Sequence, residues 1–170
     1  MKGSLVAIVT PMFANGEIDF NSLKKLFNFH EENGTNGIVL VGTTGESATL
    51  DKHERAKIFS FAIEETSLPL MAGVGSSSTR DALELCEIAL KNGINNCLAV
   101  TPYYNKPSQK GLLLHFKELA KTSANIVLYN VPGRTGVDLD PLTTKELSSV
   151  SNITGIKEAV DSTKRFEELK

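Results

Sequence analysis

The sequence predicts an α/β chain built on parallel strands. Three observations carry that prediction. Six short apolar runs recur along the 170 residues, and helical periodicity follows each. Successive runs begin roughly 30 residues apart, the length of a βαβ unit. The runs are apolar throughout rather than alternating, as expected of strands covered on both faces.

The elements follow in order. "LVAIV" from Leu5 is the first strand. "DFNSLKKLFNFHEENG" then places Leu23, Leu26, Phe27 and His30 at helical spacing and closes on Gly34. "GIVLVG" from Gly37 is the second strand. "TLDKHERAKIFSFAIEET" follows, with Thr49 and Asp51 as candidate N-caps and Ala56, Phe59, Ala62 and Ile63 as one face. "LPLMAGVG" from Leu68 leads into "STRDALELCEIALKNG", which opens on Ser78 or Thr79 and ends at Gly93. "NCLAVT" from Asn96 precedes the helix "SQKGLLLHFKELAKTS". "NIVLYNV" from Asn125 precedes "DPLTTKELSSV", with Asp140 as cap and Pro141 at the first helical position. "ITGIKEA" from Ile153 is the last strand, and "STKRFEELK" is a helix barely begun. The alternation makes the sheet parallel, with right-handed crossovers. A (β/α)8 barrel or an open doubly wound sheet satisfies this pattern, and no linker or low-complexity tract divides it.

Composition narrows the partners. Hydrophobic residues make up 41% and charged residues 22%, ordinary for a globular domain. A net charge of −2 and no basic run give no electrostatic case for nucleic acid. No stretch approaches the roughly 20 apolar residues of a membrane span. Pro11 breaks the N-terminal apolar run before it becomes a signal-peptide core. Cys86 and Cys97 form no CxxC and read as small buried hydrophobes of a reducing compartment, the cytoplasm. His30, His53 and His115 fall in helices without ligand spacing, so no metal site is expected.

The residues foreign to a core gather at one place. "VGTTGES" offers Thr43 and Thr44 after the second strand, and "TPYYNKP" offers Tyr103 and Tyr104 after the fourth. "YNVPGRTG" offers Tyr129 and, in a loop, Arg134. Lys157 stands late in the sixth strand. All lie at C-terminal strand ends, where parallel α/β folds place their sites. Taken singly, Tyr129 reads as a core aromatic, Thr43-Thr44 as turn and cap residues, and Arg134 as a solvated charge. "GVGSSS" from Gly73 is half of a phosphate-binding fingerprint, and "VGTTGES" lacks the GK[ST] of a P-loop.

Lys157 carries the sharpest chemistry. Its strand neighbours on the same face are Gly155 and Ala159, which leave room beside the amine. A neutral lysine attacks a carbonyl and forms a Schiff base. Burial disfavours the ammonium and so favours such an amine. Tyr129 ends the preceding strand, within reach as a proton shuttle, with Thr43 as a relay partner. Thr43-Thr44 offer hydroxyl and backbone N–H donors to a substrate carboxylate.

"AIVTPM", "GTTGESATL", "TPYYNKPS", "YNVPGRTG" and "GIKEA" occur in this order at the ends of different strands. Together they closely resemble the dihydrodipicolinate synthase family, within the pyruvate-dependent class I aldolases. The resemblance implies a TIM (β/α)8 barrel, here one domain over residues 1–170 with about six βα units, incomplete at its C-terminus. It implies condensation of pyruvate with L-aspartate 4-semialdehyde, without a cofactor, on the route to diaminopimelate and lysine. It implies that Lys157 forms the Schiff base and Tyr129 moves protons. Thr43 would link Tyr129 to Tyr104, and Tyr104 would act across a dimer interface within a tetramer. Thr44 would hold the pyruvate carboxylate, and Arg134 that of the semialdehyde. The sister branch of N-acetylneuraminate lyase shares the lysine and tyrosine, whereas the double threonine and the Arg-Thr after "YNVPG" favour the synthase. An inactive module is the alternative from another class. The family's lysine-feedback positions match Ser47, Ala48, Ser77, Asp81 and Tyr103. Lys52 and Arg55 replace residues often histidine in lysine-sensitive members, so weak feedback is expected.

Overall fold

The computed structural model describes residues 1–170, which fall into two compact units. The first comprises Met1–Gly73 and Ile88–Asn95. The second comprises Val74–Glu87 and Asn96–Lys170.

In the first unit, β1 (Leu5–Ala7), β2 (Gly37–Leu40) and β3 (Leu70–Gly73) pair in parallel and in that order. All residues of β2 and β3 are buried, as their unbroken apolar runs require. β1 is shorter than its apolar run, and Val9 is exposed. Helix α1 (Phe20–Glu32) is capped by Asp19, which accepts from Ser22 N, and buries Leu23 and Phe27. Gly34 follows its end at φ +73°, a conformation that suits a residue without Cβ. A 3₁₀ turn (Ser47–Thr49) leads to α2 (Lys52–Glu65). Asp51 and Glu54 form a capping box at the start of α2. The buried stripe of α2 is Arg55, Ile58, Phe59 and Ala62, which keeps Phe59 and Ala62 of the expected face but replaces Ala56 and Ile63. Steps of three and four residues link Arg55, Ile58, Phe59 and Ala62, while Ile63, at the edge of this stripe, is 46% exposed.

Helix α3 (Thr79–Lys91) begins in the second unit, with Ser78 Oγ accepting from Asp81 N at 3.2 Å. Then come β4 (Asn96–Val100), α4 (Gln109–Leu119), β5 (Asn125–Asn130), α5 (Pro132–Thr135), α6 (Pro141–Leu147), β6 (Ile153–Glu158) and α7 (Thr163–Glu168). β4, β5 and β6 pair in parallel in that order. The segment carrying Arg134, expected as a loop, is the short helix α5, with Pro132 at its start and Gly136 at φ +73° closing it. Asp140 occupies the N-cap of α6 but makes no side-chain cap hydrogen bond. Its own N–H donates to Gln109 Oε1 at 3.1 Å. Asn152, just before β6, donates from Nδ2 to three carbonyls: Ala120 at 3.0 Å, Thr122 at 3.2 Å and Ala124 at 2.9 Å.

Two features of β6 differ from expectation. It was read as covered on both faces, yet Thr154, Gly155 and Lys157 are exposed. The strand hydrogen-bonds along one edge, to β5, and nothing covers its solvent side. It also carries a bulge. Ile126 faces Ile153, but Val127 faces Gly155, so Thr154 is passed over.

Candidate active site

β5 and β6 position the central pair. After the bulge the register runs Leu128 to Ile156, Tyr129 to Lys157 and Asn130 to Glu158. Tyr129 and Lys157 are therefore direct neighbours on one face. Lys157 Nζ lies 4.4 Å from the centroid of the Tyr129 ring. The ring is 7% exposed, while the lysine is open to solvent. The ring's electron-rich face attracts the cation and holds it over the phenol. Lys157 is exposed because β6 is the last strand of the sheet order. The side of β6 away from β5 is uncovered, and the small neighbours Gly155 and Ala159 shield nothing.

Tyr104 and Arg134 belong to the same unit, Tyr104 in the loop after β4 and Arg134 on α5. Tyr104 N donates to Thr135 O at 3.3 Å, tying the segment after β4 to α5, which carries Arg134. Tyr104 has φ +73° and Lys106 φ +48°, both in the left-handed region. Such a conformation is costly for a tyrosine and recurs at functional sites. It leaves the Tyr104 side chain 90% exposed. Arg134 is exposed as well. Tyr103 is half-buried, and Ser77 O accepts from Asn105 Nδ2 at 2.8 Å. Asp81 sits in the first turn of α3.

Thr43 and Thr44 belong to the first unit, exposed in the turn after β2. Two left-handed residues bracket that turn, Val41 at φ +52° and Glu46 at φ +58°. Thr10 Oγ1 donates to Gly45 O at 2.8 Å, and Glu46 N to Thr43 O at 3.1 Å. Gly73 makes the tight fit possible: a Cβ there would stand 2.1 Å from Val41 O. Ser47 and Ala48 lie in the 3₁₀ turn of this unit. Arg55 was expected to present a cation beside them. It is buried instead, donating from Nε to Leu50 O at 3.3 Å and from Nη2 to Ser47 O. Lys52 is exposed.

The sequence reading missed a polar cluster on the opposite face of β5 and β6. Asn130, fully buried, donates from Nδ2 to Asp138 Oδ1 at 2.7 Å and to Glu158 at 3.0 Å. Its Oδ1 accepts from Leu139 N at 3.0 Å. Arg165 of α7 donates to Asp138 through both terminal nitrogens and to Leu139 O at 3.0 Å. Its Nη1 lies 3.5 Å from Glu158. Burial pushes the Asp138 carboxyl up, but the hydrogen bonds from Arg165 and Asn130 and the arginine charge outweigh it and hold it below the usual range. Gly155 was the one available signal for the bulge, since a lone glycine in a strand often marks one. Nothing local announced the cluster, whose members are up to 35 residues apart.

Parallel strands joined by helices, with a lysine and a tyrosine paired at their C-terminal ends, define a protein of the α/β-barrel class. The chain belongs to the dihydrodipicolinate synthetase family, whose family model matches residues 1–170. It is 52% identical to 4-hydroxy-tetrahydrodipicolinate synthase of Stutzerimonas stutzeri (strain A1501), over 99% of this chain and 59% of that relative. Among solved structures it resembles the chloride-inhibited dihydrodipicolinate synthase from Acinetobacter baumannii complexed with pyruvate. The TM-score is 0.96 at 48% identity, covering 98% of this chain and 58% of the other. A monomeric dihydrodipicolinate synthase variant matches with a TM-score of 0.93 at 43% identity, over 98% of this chain and 57% of that one. The chain thus spans somewhat over half the length of these relatives. No helix is long and apolar enough to cross a membrane.

Proposed function

We propose that this chain carries the pyruvate-activating residues of a 4-hydroxy-tetrahydrodipicolinate synthase. The observation that carries the reading is the Lys157 amine held 4.4 Å over the Tyr129 ring. Lys157 gives up one proton, the freed lone pair of Nζ attacks the ketone carbon of pyruvate, and that proton with a second one from the nitrogen passes to the carbonyl oxygen, which leaves as water. The resulting iminium withdraws electrons, so the methyl carbon loses a proton and becomes an enamine. That carbon forms the new bond to the aldehyde carbon of L-aspartate 4-semialdehyde, and the aldehyde oxygen takes up a proton. Tyr129 is the group placed to receive and return protons. Thr44 donates to the pyruvate carboxylate, and Arg134 grips the carboxylate of the semialdehyde with a bidentate fork.

Tyr104 completes the reading. Its left-handed backbone and its 90% exposure turn the phenol away from its own core. We assign it to the proton relay of a second copy, linked there through Thr43, in a homo-oligomer with the dimer as its working unit and a tetramer as the full assembly. Two free cysteines, Cys86 and Cys97, both buried, suit the reducing cytoplasm. The acceptor specificity rests on Arg134-Thr135 and Thr43-Thr44, which separate this reading from an N-acetylneuraminate lyase. The test is borohydride reduction of the full chain with pyruvate, followed by peptide mass mapping. An adduct on Lys157, abolished in Lys157→Ala, is expected. An adduct elsewhere, or turnover without one, overturns the assignment, and no binding of pyruvate at all makes the chain an inactive module.

A further inference from the structure

The register that sets Lys157 opposite Tyr129 is not the one with which the two strands start. Continuing the Ile126–Ile153 pairing along the ladder would place Lys157 opposite Asn130. The bulge at Thr154 advances β6 by one residue, and only then does the amine meet the phenol. A one-residue slip inverts every side chain of a strand. Such slips are weakly opposed where a strand is glycine-containing and exposed, as β6 is. Thr154 contributes little itself, its Oγ1 reaching Ile126 O only at 3.5 Å. Something beyond the bulge must hold the shifted register.

We propose that Asn130, Asp138, Glu158 and Arg165 are positioning residues that lock β6 in its bulged register and thereby hold Lys157 over Tyr129. Asn130 and Glu158 are the pair immediately beyond Tyr129 and Lys157, facing the other side of the sheet. Asn130 Nδ2 reaches both Glu158 oxygens, at 3.0 and 3.1 Å. This contact exists only in the shifted register. In the unshifted one, Asn130 would face Lys157 and leave its buried amide short of a partner, at a cost that selects against the slip. Arg165, with its side chain 12% exposed, bridges Asp138 and Glu158 and ties α7 to the segment after α5. Glu158 Oε1 also accepts from Val160 N at 3.0 Å, and Ala159 N donates to Asn130 O at 3.0 Å, so the chain leaving β6 is held as well. The inference rests on Lys157 as the nucleophile for its functional meaning. The geometric claim stands apart from that reading.

Reaction-independent measurement comes first. The ε-methylene of a lysine held over an aromatic ring resonates upfield of solvated lysines. In lysine-labelled full chain, the Lys157 signal is expected upfield, and it should move to the solvated position in Arg165→Met and Glu158→Gln. Arg165→Lys should fall between. The second measurement is the rate of pyruvate trapping by borohydride as a function of pH, expected to fall at least tenfold in Arg165→Met and Glu158→Gln with a displaced profile. If the wild type shows the upfield signal but traps no pyruvate, the functional reading fails and the positioning stands. The positioning is overturned if the wild-type signal is not upfield, or if folded variants keep both the signal and the trapping rate. It is also overturned if all three variants unfold, because the cluster is then a folding element without a specific effect on Lys157.

Discussion

Thr79 Oγ1 lies 2.9 Å from His115 Nδ1, joining α3 to α4 across 36 residues of sequence. The imidazole is buried, its ring edge-on to Phe116 at 5.0 Å, and its Nε2 has no partner. Burial alone lowers the His115 pKa from 6.5 to about 4. The folded state therefore keeps a neutral ring that the unfolded chain protonates first. This stability is fully present above the unfolded value of 6.5 and is lost as pH falls toward about 4. Over that window the loss amounts to about 3 kcal/mol, at 1.36 kcal/mol per pKa unit. Urea unfolding at pH 7, 6, 5 and 4.5 checks it. His115→Gln should flatten the slope, and an unchanged slope would assign the pH dependence to carboxylates.

Gly73 and Gly133 make a matched pair. A methyl group at Gly73 would meet Val41 O at 2.1 Å, whereas Gly133, in α5, has nothing within 4 Å. Gly73→Ala should destabilise by several kcal/mol, the scale of core overpacking or more. Gly133→Ala should be neutral or stabilising by about 0.5–1 kcal/mol, since alanine is the better helix former. Thermal melts of the two proteins distinguish local crowding from a general glycine effect.

Arg134→Ala should spare pyruvate trapping and impair use of the semialdehyde. A charge-assisted bidentate contact contributes about 1.5–3 kcal/mol, or roughly 10–150-fold in kcat/KM for the second substrate. Equal losses in both half-reactions would reassign Arg134 to general electrostatics. Because its side chain is exposed, the melting temperature should stay close to wild type.

Tyr104→Phe tests a hydroxyl that its own protomer leaves in solvent. Turnover should fall while stability stays within about 0.5 kcal/mol. Tyr104→Asn, better suited to φ +73°, should raise stability by several tenths of a kcal/mol and still lose activity. Wild-type turnover by Tyr104→Phe would remove the tyrosine from the relay.

Feedback by free lysine should be weak. Lys52 stands exposed beside the 3₁₀ turn, and Arg55 is committed to the carbonyls of Ser47 and Leu50. Inhibition assays at millimolar lysine check this, and tight cooperative inhibition would show that neither residue matters to the effector.

What could be read from sequence was what local pattern dictates. The apolar runs announced β2 to β5 because strands covered on both faces leave no room for alternation. Asp51 announced the start of α2 through a short-range capping hydrogen bond. The Tyr129–Lys157 pairing followed from adjacency of consecutive strands. The parts that depend on distant partners were not legible. Arg55 looks like a surface cation until the carbonyls it serves are placed. Asn130, Asp138, Glu158 and Arg165 look like ordinary polar residues until the strands bring them together.

The anchoring of β6 at both ends constrains how the gene can change. Asn152 is fastened to the carbonyls of Ala120, Thr122 and Ala124, and Glu158 to Asn130. The stretch between them is one residue longer than the strand it accompanies. Substitutions at Thr154 or Ile156 alter the kind of residue but preserve the count. Deleting a single codon from Thr154 to Ile156 removes the surplus and leaves an unbulged ladder, in which both anchors and the Tyr129–Lys157 pair are kept. An added codon instead enlarges the mismatch between fixed anchors, so in this segment insertions should be purged more strictly than deletions or point changes.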